Sequence, residues 1–485
     1  DTVNYGASTG GIIANMVTMT GSGGYAQNNT YINIQNIVGS SSGDIFISGA
    51  GANHFDGGSG GSDTVSYASS NAGVTVSLFD GSASGGYAAG DTLLHIQNVI
   101  GSNYDDLFIA SADNNRFDGG GGVNTVSYEK SVGGVTVDLT NTIGTGTGST
   151  YANGDSYVNI QNLIGSIYDD IFIASADANK LDGGLQSVHN RVSYEDSNAG
   201  VTVDLNYTDG TGTSGGYATG DKLINIQDLT GSSGNDTFVA SSVANNFDGG
   251  AGSNTVSYAA SNAGVTIDLV LGGGNGGYAN GDTYLNIQNI IGSAGNDMFI
   301  ANGAANRFDG QGGNNTVSYA KASDNIGVVV DLVNNAGSNG FAAGDTYANI
   351  QNVIGSTNDD TFIASSVANV FDGLQGSDTV SYAYSNAGVT VNLVTGLGAN
   401  GYATGDTYAN IENVIGSSSD DLFVASADAN SFEGGVSTAT SHNRVSYASS
   451  NAGVTIDLSR TDGVGTSGGY AAGDKLSNIQ DLTGS

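Results

Sequence analysis

The sequence predicts an all-β protein, a right-handed parallel β-solenoid built from tandem repeats. Three observations carry that prediction. A pattern of 61 to 66 residues recurs along the 485-residue chain. Segments such as VTVSL (74–78), VTVDL (201–205) and VTIDL (265–269) alternate β-branched and polar residues with a period of two, as strands do. Glycine accounts for 79 residues and proline for none, and no apolar stripe at helical spacing is long enough to sustain a helix.

The repeat fixes the domain organisation. Units open on T-V-S-Y or a near variant, with first residues Asp1, Asp63, Asn124, Asn190, Asn254, Asn315, Asp378 and Asn443. They run 1–62, 63–123, 124–189, 190–253, 254–314, 315–377, 378–442 and a partial 443–485. A period of four units, 253 residues, lies on top: HNRVSY (189–194) and GDKL (220–223) return at 442–447 and 473–476. The pattern is already running at Asp1 and still running at Ser485, so one continuous array cut from a longer one is expected.

Within a unit the elements follow in order. T-V-S-Y and S-N-A-G-V-T-V-D-L supply two strands joined by a turn, because Gly, Asn and Asp tolerate positive φ. A Gly/Ser/Thr stretch leads to G-G-Y-A-x-G-D-T, then to I-Q-N-x-I-G-S, x-x-D-D-x-F-I-A-S and A-N-x-F-D-G-G. The unit ends divide into nonapeptides. In unit four they are GSSGNDTFV, ASSVANNFD and GGAGSNTVS, with Asp236, Asn245 and Asn254 at position six and Phe238, Phe247 and Val256 at position eight. Position eight is expected to face a thin core, with three or four coils of about 18 residues per unit.

Composition excludes several functions. Asp and Glu total 46 against 10 Lys and Arg, a net charge of −36. Such a chain repels nucleic acid and anionic lipid surfaces. The absence of cysteine excludes disulfides and thiolate chemistry. No apolar run approaches the roughly 18 residues of a membrane helix, so no membrane insertion is expected. The remaining class is an acidic, secreted or surface-exposed β-protein.

The string F-D-G-G-x-G-x-[DN]-T-V-S-Y at 247–258, with the preceding G-D-x-x-x-x-I-Q-[ND] and I-G-S-x-x-[DN]-D blocks, resembles the RTX-type repeat region of large secreted bacterial proteins. The resemblance spans all eight units. It implies a β-roll, one strand and one turn per nonapeptide, with Ca²⁺ held between turns. It also implies export, without a cleaved signal in this stretch, to the outside or surface of a Gram-negative bacterium, and folding in external calcium.

Candidate calcium ligands follow from position six. Asp360 and Asp378 are 18 residues apart and both are acids, which makes them the best pair, with Gly373 and Gly376 in the turn between. Asp44, Asp63, Asp106, Asp236, Asp297 and Asp421 occupy related places. On the opposite edge Asn53, Asn115, Asn179, Asn245, Asn306, Asn369 and Asn430 point to a neutral hydrogen-bonded ladder. Metal sites are therefore expected to be fewer than units. Asp56, Asp118, Asp182, Asp248, Asp309, Asp372 and Glu433 precede the glycine turn and act either as turn caps or as ligands. Strand acids Asp138, Asp204, Asp268, Asp331 and Asp457 are expected on the solvent face. Tyr67, Tyr128, Tyr194 and Tyr258, with Tyr87, Tyr217, Tyr278, Tyr402 and Tyr470, read as stacked core aromatics rather than a carbohydrate-binding stripe.

Catalytic signals are spurious. G-x-S-x-G at 57–61 and G-x-G-x-x-G at 210–215 and 463–468 lack the helix their chemistry needs. The four histidines, His54, His95, His189 and His442, form no metalloprotease motif. Nearly every residue is reiterated, whereas an enzyme keeps its site in one place. The expected function is a structural one, a stiff acidic extracellular fibre or surface scaffold folded or cross-bridged by calcium. The extender of a giant adhesin, or the calcium-folding secretion module of an exported enzyme, are the alternatives. The expected partner is the chain itself, possible lateral contacts being His189, Arg191 and Lys222 with their copies His442, Arg444 and Lys475; other surface or matrix components come second.

Overall fold

The computed structural model describes residues 1–140, 144–147, 151–185, 189–436, 442–463 and 465–485. Parts of the longer turns of units three and seven, 186–188 and 437–441, and Val464 of the 463–468 motif lie outside the described residues. Among the described residues there are strands of two to four residues and single 3₁₀ turns, and no α-helix. The chain is a β-roll solenoid divided into two compact units, 1–241 with 245–252, and 242–244 with 253–485.

One block in the first compact unit shows the construction. Thr75–Ser77, Leu107–Ile109, Thr125–Ser127, Asn162–Ile164, Lys180–Asp182 and Lys222–Ile224 stack as parallel strands in register. Their central residues, Val76, Phe108, Val126, Leu163, Leu181 and Leu223, are all buried. Position two of each three-residue strand thus supplies the core, because alternate side chains leave the pleat on opposite faces. The second compact unit repeats this with Val329–Asp331, Thr361–Ile363, Thr379–Ser381, Asn413–Ile415, Ser431–Glu433 and Lys475–Ser477. Strands 18 residues apart are neighbours in the stack, as two nonapeptides per coil require. Facing strands meet through phenylalanine pairs, Phe108 with Phe117 at 5.7 Å and Phe362 with Phe371 at 5.5 Å between ring centroids. Leu181 takes the corresponding place in unit three.

The glycine-rich stretch departs from the expected coil count. It is no coil but a hairpin on one face. Thr266–Asp268 pairs antiparallel with Gly273–Asn275, which in turn bridges antiparallel to Thr283 of the next strand. The same arrangement joins Thr136–Asp138, Gly144–Thr147 and Ser156–Val158. In units three, five, six and seven a single antiparallel strand thus splices one parallel block to the next, whereas in units four and eight the hairpin strand pairs only with the strand before it. A Cβ at Gly274 would lie 2.2 Å from the Tyr284 hydroxyl, so glycine is what lets that tyrosine pass under the hairpin.

Candidate functional site

Three rows of buried polar side chains run through the turns. The first is position six of the first nonapeptide. Asp106 Oδ1 accepts the Val74 N–H at 2.7 Å and the Ser102 hydroxyl at 2.9 Å, while Oδ2 accepts the Ser102 N–H at 2.7 Å. Asp44, Asp236, Asp297, Asp360 and Asp421 make the same three bonds, and Asp170 completes the set. Burial pushes the carboxyls of Asp106, Asp170, Asp360 and Asp421 above their ordinary range, against the pull of these bonds. Both oxygens of these acids accept backbone N–H groups that would otherwise be orphaned in the turn.

The second row is the Asn edge. Asn179, Asn245 and Asn369 donate from Nδ2 to the carbonyls of Gln161, Gln227 and Gln351, each 18 residues back and each at 2.8 Å. Their Oδ1 atoms accept the N–H of Ser175, Ser241 and Ser365. This is the neutral ladder that an all-Asn edge implies.

The third row opens each unit, and here acid and amide differ. Asn124, Asn190, Asn315 and Asn443 accept the N–H of the position-six acid on Oδ1. Their Nδ2 donates to the carbonyls of Asn159, Asn225, Asn349 and Asn478 at 2.9 to 3.1 Å. Those acceptors sit at φ of 52° to 55°, a conformation that Asn tolerates. Asp378 keeps the Oδ1 bond, from the Asp360 N–H at 2.7 Å, but its Oδ2 is buried and has no hydrogen-bond partner. A Cβ built on Gly373 would lie 2.3 Å from both that oxygen and the Asn410 carbonyl oxygen. Only glycine leaves this cradle open. Its neighbour Gly376, at φ 133°, packs against the Asn358 carbonyl. Asp378 also donates its own N–H to a carboxylate, Glu412 Oε2 at 2.9 Å, where the other units have glutamine. Burial first, then the charges of Asp360, Glu412 and Asp359, push the Asp378 carboxyl up to about 8. Asp63 repeats the arrangement, with its Oδ2 and the His95 carbonyl 2.4 and 2.3 Å from a Cβ on Gly57, and burial pushes it up to about 6.

Two carbonyl-facing carboxylates in place of amides are hard-oxygen donor sets of the kind Ca²⁺ takes. Among the described residues no three His, Cys, Asp or Glu side chains form a cage of their own. An ion at Asp378 would therefore be held by carboxylate and backbone carbonyl oxygens together.

The remaining candidates fall elsewhere. Asp56, Asp118, Asp182, Asp248 and Asp372 cap their turns by accepting the N–H two residues on, at 3.0 to 3.2 Å, and Asp309 does so to Gln311. Most also take the side chain of the positive-φ residue, as Asp372 does from Asn410 at 2.7 Å and Asp56 from His95 at 2.8 Å. Glu433 is exposed. Of the strand acids Asp457 faces solvent and Asp138, Asp204 and Asp331 are half-buried. Asp268 is buried, staples the turn at Val270 and Leu271, and pairs with Lys321. His189 and Arg191 converge on Asp228 within the chain, at 3.3 and 3.7 Å, and His442 and Arg444 do the same with Asp481. Units four and eight read I-Q-D where other units read I-Q-N or I-E-N, so the four-unit period carries its own internal counter-charge. Lys222 and Lys475 are exposed on their strands.

The tyrosines divide into two sets. Tyr67, Tyr128, Tyr194 and Tyr258, with Tyr319, Tyr382 and Tyr447, are fully buried. The G-G-Y set is only half-buried, on 3₁₀ turns. Tyr157, Tyr284, Tyr347 and Tyr408 of the G-D-x-Y strands, which sequence reasoning passed over, fill the core instead and touch the first set through their hydroxyls. Their alternation with Thr and Ser in three-residue strands was the available signal.

No curated protein matches the chain. Six stretches, 34–65, 97–128, 161–187, 229–262, 287–317 and 353–382, match the family of the RTX calcium-binding nonapeptide repeat (4 copies). Repeats of this kind bind calcium and are typical of secreted bacterial proteins. Each matched stretch contains the position-six acid, the Asn edge or both, so the chain carries RTX calcium-binding nonapeptide repeats in multiple copies along its length.

Proposed function

We propose that the chain is the shaft of an extracellular acidic fibre or surface scaffold. The reiteration of one buried ladder and one core from unit to unit, with no unique constellation of reactive groups among the described residues, carries that reading. Parallel hydrogen-bonded blocks are the source of stiffness in this reading. Calcium enters at turns where an acid stands for the usual Asn: Asp378 with Asp360, Glu412 and the Asn410 carbonyl, and Asp63 with Asp44. Asp106, Asp236, Asp297 and Asp421 serve in this reading as acceptors for backbone N–H groups. Among the described residues no helix is long and apolar enough to cross a membrane. A charge of −36 keeps shafts apart until cations screen or bridge them. The extender of a large surface adhesin is the same structure in another setting.

Electron microscopy and light scattering of the chain, in EDTA and then in millimolar Ca²⁺, test the reading. Filaments or bundles formed in calcium and dispersed by EDTA are expected. Monodisperse particles under both conditions would remove self-association from the proposal.

A further inference from the structure

In units two to eight the aspartate of the A-x-G-D string is buried beside a tyrosine, and this node has no part in the calcium sites. We infer that these aspartates are proton-binding sites that tighten the array as the surroundings become mildly acidic, independently of metal.

The geometry recurs in seven units. Tyr67, Tyr128, Tyr194, Tyr258, Tyr319, Tyr382 and Tyr447 donate their hydroxyls to Oδ2 of Asp91, Asp155, Asp221, Asp282, Asp345, Asp406 and Asp474 at 2.6 to 3.1 Å. Oδ1 accepts the backbone N–H of the Asn-edge residue, as Asp155 does from Asn115 and Asp221 from Asn179. All seven carboxyls are 2% exposed or less. The groups facing six of them are neutral: Tyr128 and Tyr157 at Asp155, Tyr194 at Asp221, Tyr319 and Tyr347 at Asp345, Tyr382 and Tyr408 at Asp406, Tyr447 at Asp474, and Tyr67 with Ser48 at Asp91. Lys222 and Lys475 follow Asp221 and Asp474 in sequence, but strand alternation turns them outward to solvent.

A buried carboxylate without a counter-charge favours its neutral form. Burial accordingly pushes Asp155 and Asp221 up to about 7, and Asp345, Asp406 and Asp474 up to about 6. Their stabilising effect is fully present below the unfolded-chain value of roughly 3.9 and is lost as the pH rises through about 6 to 7. Folding thus takes up protons at these nodes. Unit one supplies the control: Asn29 stands in the Asp place and donates from Nδ2 to the Tyr5 hydroxyl at 2.9 Å, so an amide fits the node without titrating.

The test is urea unfolding of the full chain in EDTA at pH 5.0 and 7.5, with D155N/D221N/D345N/D406N beside the wild type. The wild-type midpoint should be higher at pH 5.0 by roughly half a molar, and the fourfold variant should lose half or more of that difference. A variant that keeps the whole difference, or a wild type less stable at pH 5.0, would overturn the inference. Should the fourfold variant not fold, D155N and D221N singly decide. Each should weaken the protonated-carboxyl infrared band at pH 6, and an unchanged band in both would likewise overturn it.

Discussion

Asp378 and Asn124 differ by an oxygen in place of an N–H, set among equivalent backbone carbonyls. The amide donates there; the carboxylate presents a buried oxygen without a partner. Leaving such a group unsatisfied costs about 1–3 kcal/mol. D378N is therefore expected to raise local stability in EDTA at pH 8 by about that amount, read as slower hydrogen exchange of the Asp360 amide. Unchanged or faster exchange would contradict the account of the cradle. Position six was legible in the sequence as special, because its 18-residue spacing survives in four of the seven complete units. Its partners were not. Asp106 accepts its N–H from Val74, 32 residues away and across a hairpin whose path no local pattern reveals. A separation of 37 residues likewise hid Asp228 as the counter-charge of Arg191.

Three-residue strands form because stacking, not length, stabilises them. Those inside a block are flanked by two parallel neighbours, and each buries one central side chain. Position eight was readable as the core position, since Phe and Val recur there with fixed spacing. The antiparallel splice was not, since Gly273–Asn275 carries no alternation to betray a strand. Its identity as glycine follows from Tyr284 beneath it. Phe362 is fully buried and stacked on Phe371, so Phe362→Ala is expected to cost about 3–5 kcal/mol. Native-state hydrogen exchange should place that loss in the coils around Phe362, because solenoid stability is a sum of neighbour terms. Loss spread evenly through the chain would argue for a single cooperative core instead.

At the scale of the molecule, two kinds of turn share one array. Turns opened by Asn close on themselves through amide and carbonyl and need no ion. Those opened by Asp63 and Asp378 leave carboxylate oxygens facing carbonyls, where in the proposed reading a cation would complete the set. The all-β class and the Asn ladder could be read from periodicity alone. Which turn oxygens are left without a partner could not, since that depends on which face of each residue the turn buries. Equilibrium dialysis of the full chain against Ca²⁺ at pH 8, with circular dichroism in EDTA beside it, tests this division most directly. The account predicts a β spectrum already present in EDTA and only a few tight calcium sites, reduced by D378N. A disordered chain in EDTA, or tight binding of one or more calcium ions by every unit irrespective of D378N, would contradict it.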